Sequence, residues 1–168
     1  MIRFGILIIS DRSFRGERQD LTAPVLSETI IKSGHAVVKK QIVPDEVEEI
    51  SSVLMEWADL NAVDVILTSG GTGFSSRDLT PEATLAVVER HAPGISEAIR
   101  AFSLKITPHA MLSRAISGIR KRTLIVNLPG SPKGALESLE LIFPILGHAV
   151  ELLQDSPDAE KGHHTSDY

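Results

Sequence analysis

"VDVILTSGGTGFSSRDLTPEAT" runs from Val63 to Thr84, and its two halves follow different rules. The part from Val63 to Ser69 is apolar and β-branched, as expected of a strand buried on both faces. It stops at Gly70, Gly71 and Gly73, three glycines within four positions. Arg77 and Asp78 follow, and then Thr80-Pro81. Proline is favoured in the first turn of a helix, so a helix is predicted from Pro81 with Thr80 as its N-cap. A strand, a glycine loop and a helix in direct succession form the repeating unit of a parallel α/β sheet.

The rest of the chain repeats that alternation. Ile2 to Ser10 reads as a strand and "SDRSFRGERQD" as a polar loop. Leu21 to Ser33 reads as a helix, with Gly34 placed to end it. His35 to Val43 is a second strand. Val47, Ile50, Leu54, Trp57 and Ala58 recur at helical spacing in "PDEVEEISSVLMEWADL". "PGISEAIRAFSLK" predicts a further helix, Thr123 to Leu128 a strand, and Pro132 to Leu153 a long helix that bends at Pro144. The predicted fold is α/β: three layers, with a mostly parallel sheet and helices on both faces. One domain is expected over residues 1–154, followed by a flexible tail over 155–168.

Composition narrows the function classes. The chain has 168 residues, 42% hydrophobic and 23% charged, enough to bury a core without staples. It has no cysteine, so disulfides, thiolate zinc sites and a cysteine nucleophile are excluded. A net charge of −5 argues against general duplex binding, which calls for a basic face. No apolar run reaches the length of a membrane span, and "MIRFGILIIS" reads as a strand rather than a signal peptide. The expectation is a cytoplasmic protein with neither nucleic acid nor membrane as partner.

Ligands of open α/β sheets bind beyond the carboxyl ends of the strands. The loops there are "SDRS", "VPDE", "SGGTG" and "NLPGSPKG", so the candidate residues fall on one edge. Successive N–H groups in a glycine loop form an anion-binding concavity, and a following helix adds its positive end. A tight strand-to-helix turn would account for some of the same residues. Asp78 admits two readings. It caps the helix, or it holds a divalent cation bridging to phosphates, as magnesium does with one or two carboxylates. Asp45 also admits two, because Asp45 and Glu48 resemble a capping box. Pro129 and Gly130 make a turn, and Ser131-Pro132 reads as the start of the last helix; alternatively the loop walls a flat ring or ribose. Arg114 and the Arg120–Arg122 cluster are candidates to neutralise a phosphorylated substrate.

"ISDR", "VPDE", "SGGTGFSSRDLTPEAT" and "NLPGSPKGA", in that order, resemble the MogA/MoaB family of molybdenum cofactor biosynthesis from about Ile2 to Leu153. The resemblance implies a homotrimer that binds molybdopterin. It also implies magnesium-dependent transfer of AMP from ATP to molybdopterin with release of pyrophosphate, and a molybdate-inserting MoeA-type partner downstream. Carried over by motif, Asp78 and Asp45 match the carboxylates tied to activity and metal. Ser69, Gly70, Gly71, Thr72 and Gly73 match the loop on substrate phosphate, and Ser113 and Arg114 a pterin-side segment. Ser10 and Asp11, with Pro129, Gly130 and Ser131, match the nucleotide side. The chain departs from the family pattern beside the first loop. It has Arg18 where an aromatic or aliphatic residue is usual, and Ala23 where a glycine often precedes Pro24. The alternative within the family is a MoaB-type protein that binds the pterin without turnover. Outside it, a structural scaffold would be indifferent to Gly71→Val and Asp78→Asn.

Overall fold

The computed structural model describes residues 1–155, so the expected tail lies outside the described residues except for Asp155. The predicted alternation is present. The elements are β1 (Arg3–Ile9), α1 (Asp11–Phe14), α2 (Thr22–Lys32), β2 (Ala36–Val43), α3 (Val47–Asp59), β3 (Val65–Ser69), α4 (Thr80–Val87), β4 (Arg90–His91), α5 (Pro93–Leu104), β5 (Ser117–Arg120), β6 (Thr123–Leu128) and α6 (Pro132–Leu153). A 3-10 turn covers Pro108–Leu112.

The sheet order is β2-β1-β3-β6-β5-β4. β2, β1, β3 and β6 run parallel; β5 and β4 add an antiparallel edge. Strand periodicity builds the two outer layers. Phe4, Ile6 and Ile8 of β1 and Val65 and Leu67 of β3 join the core under α2, α5 and α6. The intervening Leu7, Ile9 and Ile66 face the other way, into the core with α3 and α4. Both sheet faces are thus covered, which is why these strands read as continuous apolar runs. α6 continues through Pro144 to Leu153.

Three expectations change. "SDRSFRGERQD" is not wholly loop: Ser10 caps the short α1, its Oγ accepting the Ser13 N–H at 3.2 Å. Thr80 is not the N-cap of α4; that position is Leu79, with no side-chain cap. The Thr80 hydroxyl instead donates to the Gly70 carbonyl at 2.7 Å. The Arg120–Arg122 cluster is the β5–β6 turn, at the amino edge of the parallel strands, where Arg120 pairs with Asp59 and Lys121 with Glu89. It lies at the opposite edge of the sheet from the Gly70–Gly73 loop, too far to serve a ligand bound there.

Candidate active site

β3 aims the glycine loop, and the loop's shape is fixed by what lies against it. Gly70 has φ +108°, and a Cβ there would stand 2.2 Å from the Ile9 carbonyl oxygen. Gly71 has φ +63°, and its Cβ would stand 2.4 Å from the Thr80 hydroxyl and 3.1 Å from Asp45 Oδ1. No L side chain fits either place. From behind, Thr80 holds the loop twice, through its hydroxyl to Gly70 and its N–H to the Gly71 carbonyl at 3.0 Å. The N–H groups of Gly71, Thr72 and Gly73 donate to no other described residue.

The loop after β6 lies against this one. The Ser69 hydroxyl donates to the Pro129 carbonyl at 2.8 Å, and a Cβ on Gly130 would stand 3.2 Å from Gly70 Cα. Ser131 caps α6, its Oγ accepting the Gly134 N–H at 3.1 Å. Beneath both loops Asn127 is fully buried. Its amide donates to the Thr68 and Thr84 hydroxyls, each at 2.9 Å, and its oxygen accepts the Ile116 N–H at 3.2 Å. A buried polar group with every bond made fixes its neighbours, and this one joins β3, α4 and the strand that follows Arg114.

The carboxylates gather on the loop's other flank. Asp45 is not the N-cap of α3, which is Glu46. Its Oδ2 accepts the Asp11 N–H at 2.7 Å, and Asp11 Oδ1 accepts the Asp45 N–H at 3.1 Å. The capping-box reading therefore gives way to a reciprocal clasp between the first two loops. Arg77 closes on Asp11 at 3.0 Å and Glu46 at 2.9 Å. Burial works against the charged form of Asp11, but the Asp45 N–H and Arg77 outweigh it and hold its carboxyl below the usual range. Asp45 goes the other way: burial, helped by the negative Asp11 and Asp78, lifts it despite the Asp11 N–H and Arg77. Asp78 does not cap α4. Its Oδ2 accepts the Ser75 N–H at 2.8 Å, closing the turn after Gly73, and lies 2.9 Å from where a Gly73 Cβ would stand.

Two cavities open on either side of the Gly70–Gly130 contact, and both include Gly130 and Ser131. One, of about 420 Å³, lies between Thr72-Gly73, α5, the 3-10 turn and the start of α6. Ser113 lines it, with His109, Ser103 and Lys133. The other, of about 410 Å³, is lined by Ser10, Asp45, Ser69 and Gly70 and by Arg18 to Thr22. Asp11, Asp78 and Arg114 line neither cavity. Arg114 is instead a clamp: its guanidinium donates to the Gly73 carbonyl at 2.7 Å, to the Asp78 carbonyl and to Glu82. Its N–H donates to the Thr72 carbonyl at 2.8 Å. Sequence reasoning singled out neither the Thr80 staple nor His109, Ser103 and Lys133. The Pro at 108, which starts the 3-10 turn, was the available signal for His109.

Residues 5–148 match the family described as a probable molybdopterin binding domain. The chain belongs to this molybdopterin-binding family. A solved relative, the molybdopterin biosynthesis enzyme MoaB from Thermus thermophilus, is 50% identical, covers 94% of this chain and 99% of its own, and superposes with a TM-score of 0.87. The molybdopterin adenylyltransferase of Escherichia coli is 42% identical over 89% of this chain and 77% of its own. Gephyrin of Dictyostelium discoideum is 40% identical over 98% of this chain, which spans 24% of that longer protein. The family reading and the three-layer α/β fold expected from the motifs are both borne out. Among the described residues no helix is long and apolar enough to cross a membrane.

Proposed function

We propose that this chain is a molybdopterin adenylyltransferase, transferring AMP from ATP to the terminal phosphate of molybdopterin and releasing pyrophosphate. The observation that carries the reading is the pair of cavities meeting at Gly130-Ser131, with three unpartnered loop N–H groups beside the junction. Each volume lies within the range of small-ligand sites, roughly 300–1,000 Å³. Two ligands seated there bring their phosphates together at one ridge.

Molybdopterin takes the cavity lined by Thr72, Gly73 and Ser113, and the nucleotide takes the one lined by Ser10, Ser69 and Gly70. Pro129, Gly130 and Ser131 stand between them. The pterin's phosphate oxygen forms a bond to the α-phosphorus, and the bond from that phosphorus to the bridging oxygen breaks. The electron pair leaves with pyrophosphate. Such transfers depend on positioning and charge neutralisation. The loop N–H groups hold phosphate oxygen, Arg114 and Thr80 keep the loop in shape, and the Asp11–Asp45 clasp fixes the nucleotide-side loops.

The donors fit magnesium. Among the described residues no cluster of three or more His, Cys, Asp or Glu forms a closed cage; Mg²⁺ suits one or two carboxylates completed by phosphate oxygens and water. Asp45 and Asp78 would hold it, with Asp45 Oδ1 directed at Gly71 and taking no hydrogen bond from a described residue. When bound, it would neutralise charge on the phosphates. A single domain working as a cytoplasmic homotrimer, handing its product to a MoeA-type molybdate-inserting protein, completes the proposal. The test is pyrophosphate release by the purified chain with molybdopterin, ATP and magnesium, beside Asp78→Asn. Turnover that collapses in the variant supports the reading; pterin binding without turnover in the unaltered chain would make it a binding protein.

A further inference from the structure

We propose that Arg18 grips the outer phosphates of the nucleotide and, after transfer, the departing pyrophosphate. This rests on the nucleotide reading of the cavity beside Gly70. Among the described residues Arg18 is the single cation lining that cavity, and it makes no hydrogen bond or ion pair with any described residue. Arg3, Arg77, Arg100, Arg114 and Arg120 have engaged guanidinium groups; Arg12 and Arg90 are unengaged among the described residues as well, but neither lines this cavity.

The other charges of the cavity cannot take its place. Asp20 is spoken for: its Oδ1 accepts the Thr22 N–H at 2.8 Å and the Ala23 N–H at 3.3 Å. This caps the start of α2 from within, so that helix end offers a phosphate little, and it leaves Asp20 turned to its own helix rather than to Arg18. Ser131 closes the start of α6 in the same way. Asp45 adds negative charge to the wall. A triphosphate entering here meets two carboxylates, and a guanidinium offers the counter-charge in a geometry suited to phosphate. The α-phosphorus has to reach the ridge at Gly130-Ser131, where the second cavity begins. Arg18 lines the same cavity and is then available to the group that leaves. When the bond between the α-phosphorus and the bridging oxygen breaks, the electron pair stays on pyrophosphate, and Arg18 neutralises the charge that develops there.

Calorimetric titration of the full chain with pyrophosphate, AMP and ATP separately tests this, using the unaltered protein, Arg18→Met and Arg18→Lys. Affinity for pyrophosphate and ATP is expected to drop on the order of tenfold in Arg18→Met and to recover most of the way in Arg18→Lys, with AMP unchanged throughout. Arg18 is exposed and without partners, so melting temperatures should coincide. A loss for AMP as large as that for pyrophosphate would place Arg18 on the α-phosphate rather than on the outer phosphates and overturn the proposal, as would an unchanged pyrophosphate affinity. If the unaltered chain binds neither AMP nor ATP, the nucleotide reading itself fails and takes this one with it.

Discussion

At the amino edge of the sheet Arg3 closes on Asp64 at 2.7 Å, Arg120 on Asp59 at 2.7 Å and Lys121 on Glu89 at 3.2 Å. At the carboxyl edge Asp45 lies in the field of two further carboxylates, Asp11 and Asp78, with Arg77 as the opposing charge. The same strands end in both places, so the difference is not one of architecture. The pair with a buried partner at one edge, Arg3–Asp64, adds to stability. Crowded carboxylates at the other oppose it, a pattern common at functional sites. Mutations at the two edges should therefore move stability and turnover in different combinations.

Gly70→Ala is expected to have the largest effect, because it strikes both quantities. A side chain at φ +108° and 2.2 Å from the Ile9 carbonyl forces the loop or β1 to move. A cost of about 3 kcal/mol or more is expected, with no detectable pyrophosphate release; urea denaturation and the turnover assay check the two. Asp45→Asn separates them. Its amide oxygen can still accept the Asp11 N–H, while a charge that is disfavoured in the folded state disappears. Turnover should fall on the order of 10²–10³-fold, with no loss in melting temperature. A melting temperature that fell with turnover would erase the distinction between the edges. Asp64→Ala is the mirror case. Asp64 is buried, accepting from the Arg3 backbone at 2.7 Å, from its guanidinium and from Gln154. Its removal should cost about 2–3 kcal/mol and leave the turnover of the folded fraction intact.

The edges should also respond to pH with opposite sign. Burial disfavours the charged form of Asp64, but its bonds to Arg3 outweigh burial and hold the folded value below the ordinary one. Its contribution is complete above the unfolded value of about 3.9 and is lost as pH falls through the lower folded value. Asp45 is raised, by burial first and then by Asp11 and Asp78. Stability therefore declines as pH climbs from about 3.9 through its higher folded value. Denaturation curves between about pH 2.5 and 7 should show a shallower acid loss in Asp64→Asn and a smaller decline toward neutrality in Asp45→Asn. Two variants with the same slope change would contradict the assignment.

Much of the carboxyl edge was legible because its demands fall on backbone. Gly70 and Gly71 are glycine for steric reasons that any sequence must meet, and a Pro one residue into α4 marks a helix start. What stayed hidden was long-range pairing. Local grammar made Asp45 and Thr80 helix caps, yet each is claimed by a partner outside its helix, Asp11 from the first loop in one case and Gly70 across the glycine loop in the other. Arg114 looked like a free cation for the same reason; nothing near it in sequence announces Gly73, Asp78 and Glu82 as its partners. β4 and β5 were missed because two and four residues carry too little periodicity. "RKR" suggested an anion site because a basic run says nothing of the edge on which it sits.

The smallest expected effect sharpens the comparison at the level of a single backbone angle. Lys121 has φ +52°, close to the +63° of Gly71, yet one position holds a lysine and the other has no room for any side chain. At the β5–β6 turn the side chain reaches outward to Glu89, and both groups are largely exposed. Under the glycine loop the same direction leads into Thr80 and Asp45. Left-handed backbone costs an L residue about 1–2 kcal/mol, and glycine removes that cost but loosens the unfolded chain. The exposed ion pair adds little. Lys121→Gly should therefore shift unfolding stability by no more than about 1 kcal/mol and leave pyrophosphate release unchanged, where Gly71→Ala should abolish it. A comparable loss of activity from Lys121→Gly would mean that the amino edge reaches the site, and that the sheet does not keep its two ends apart.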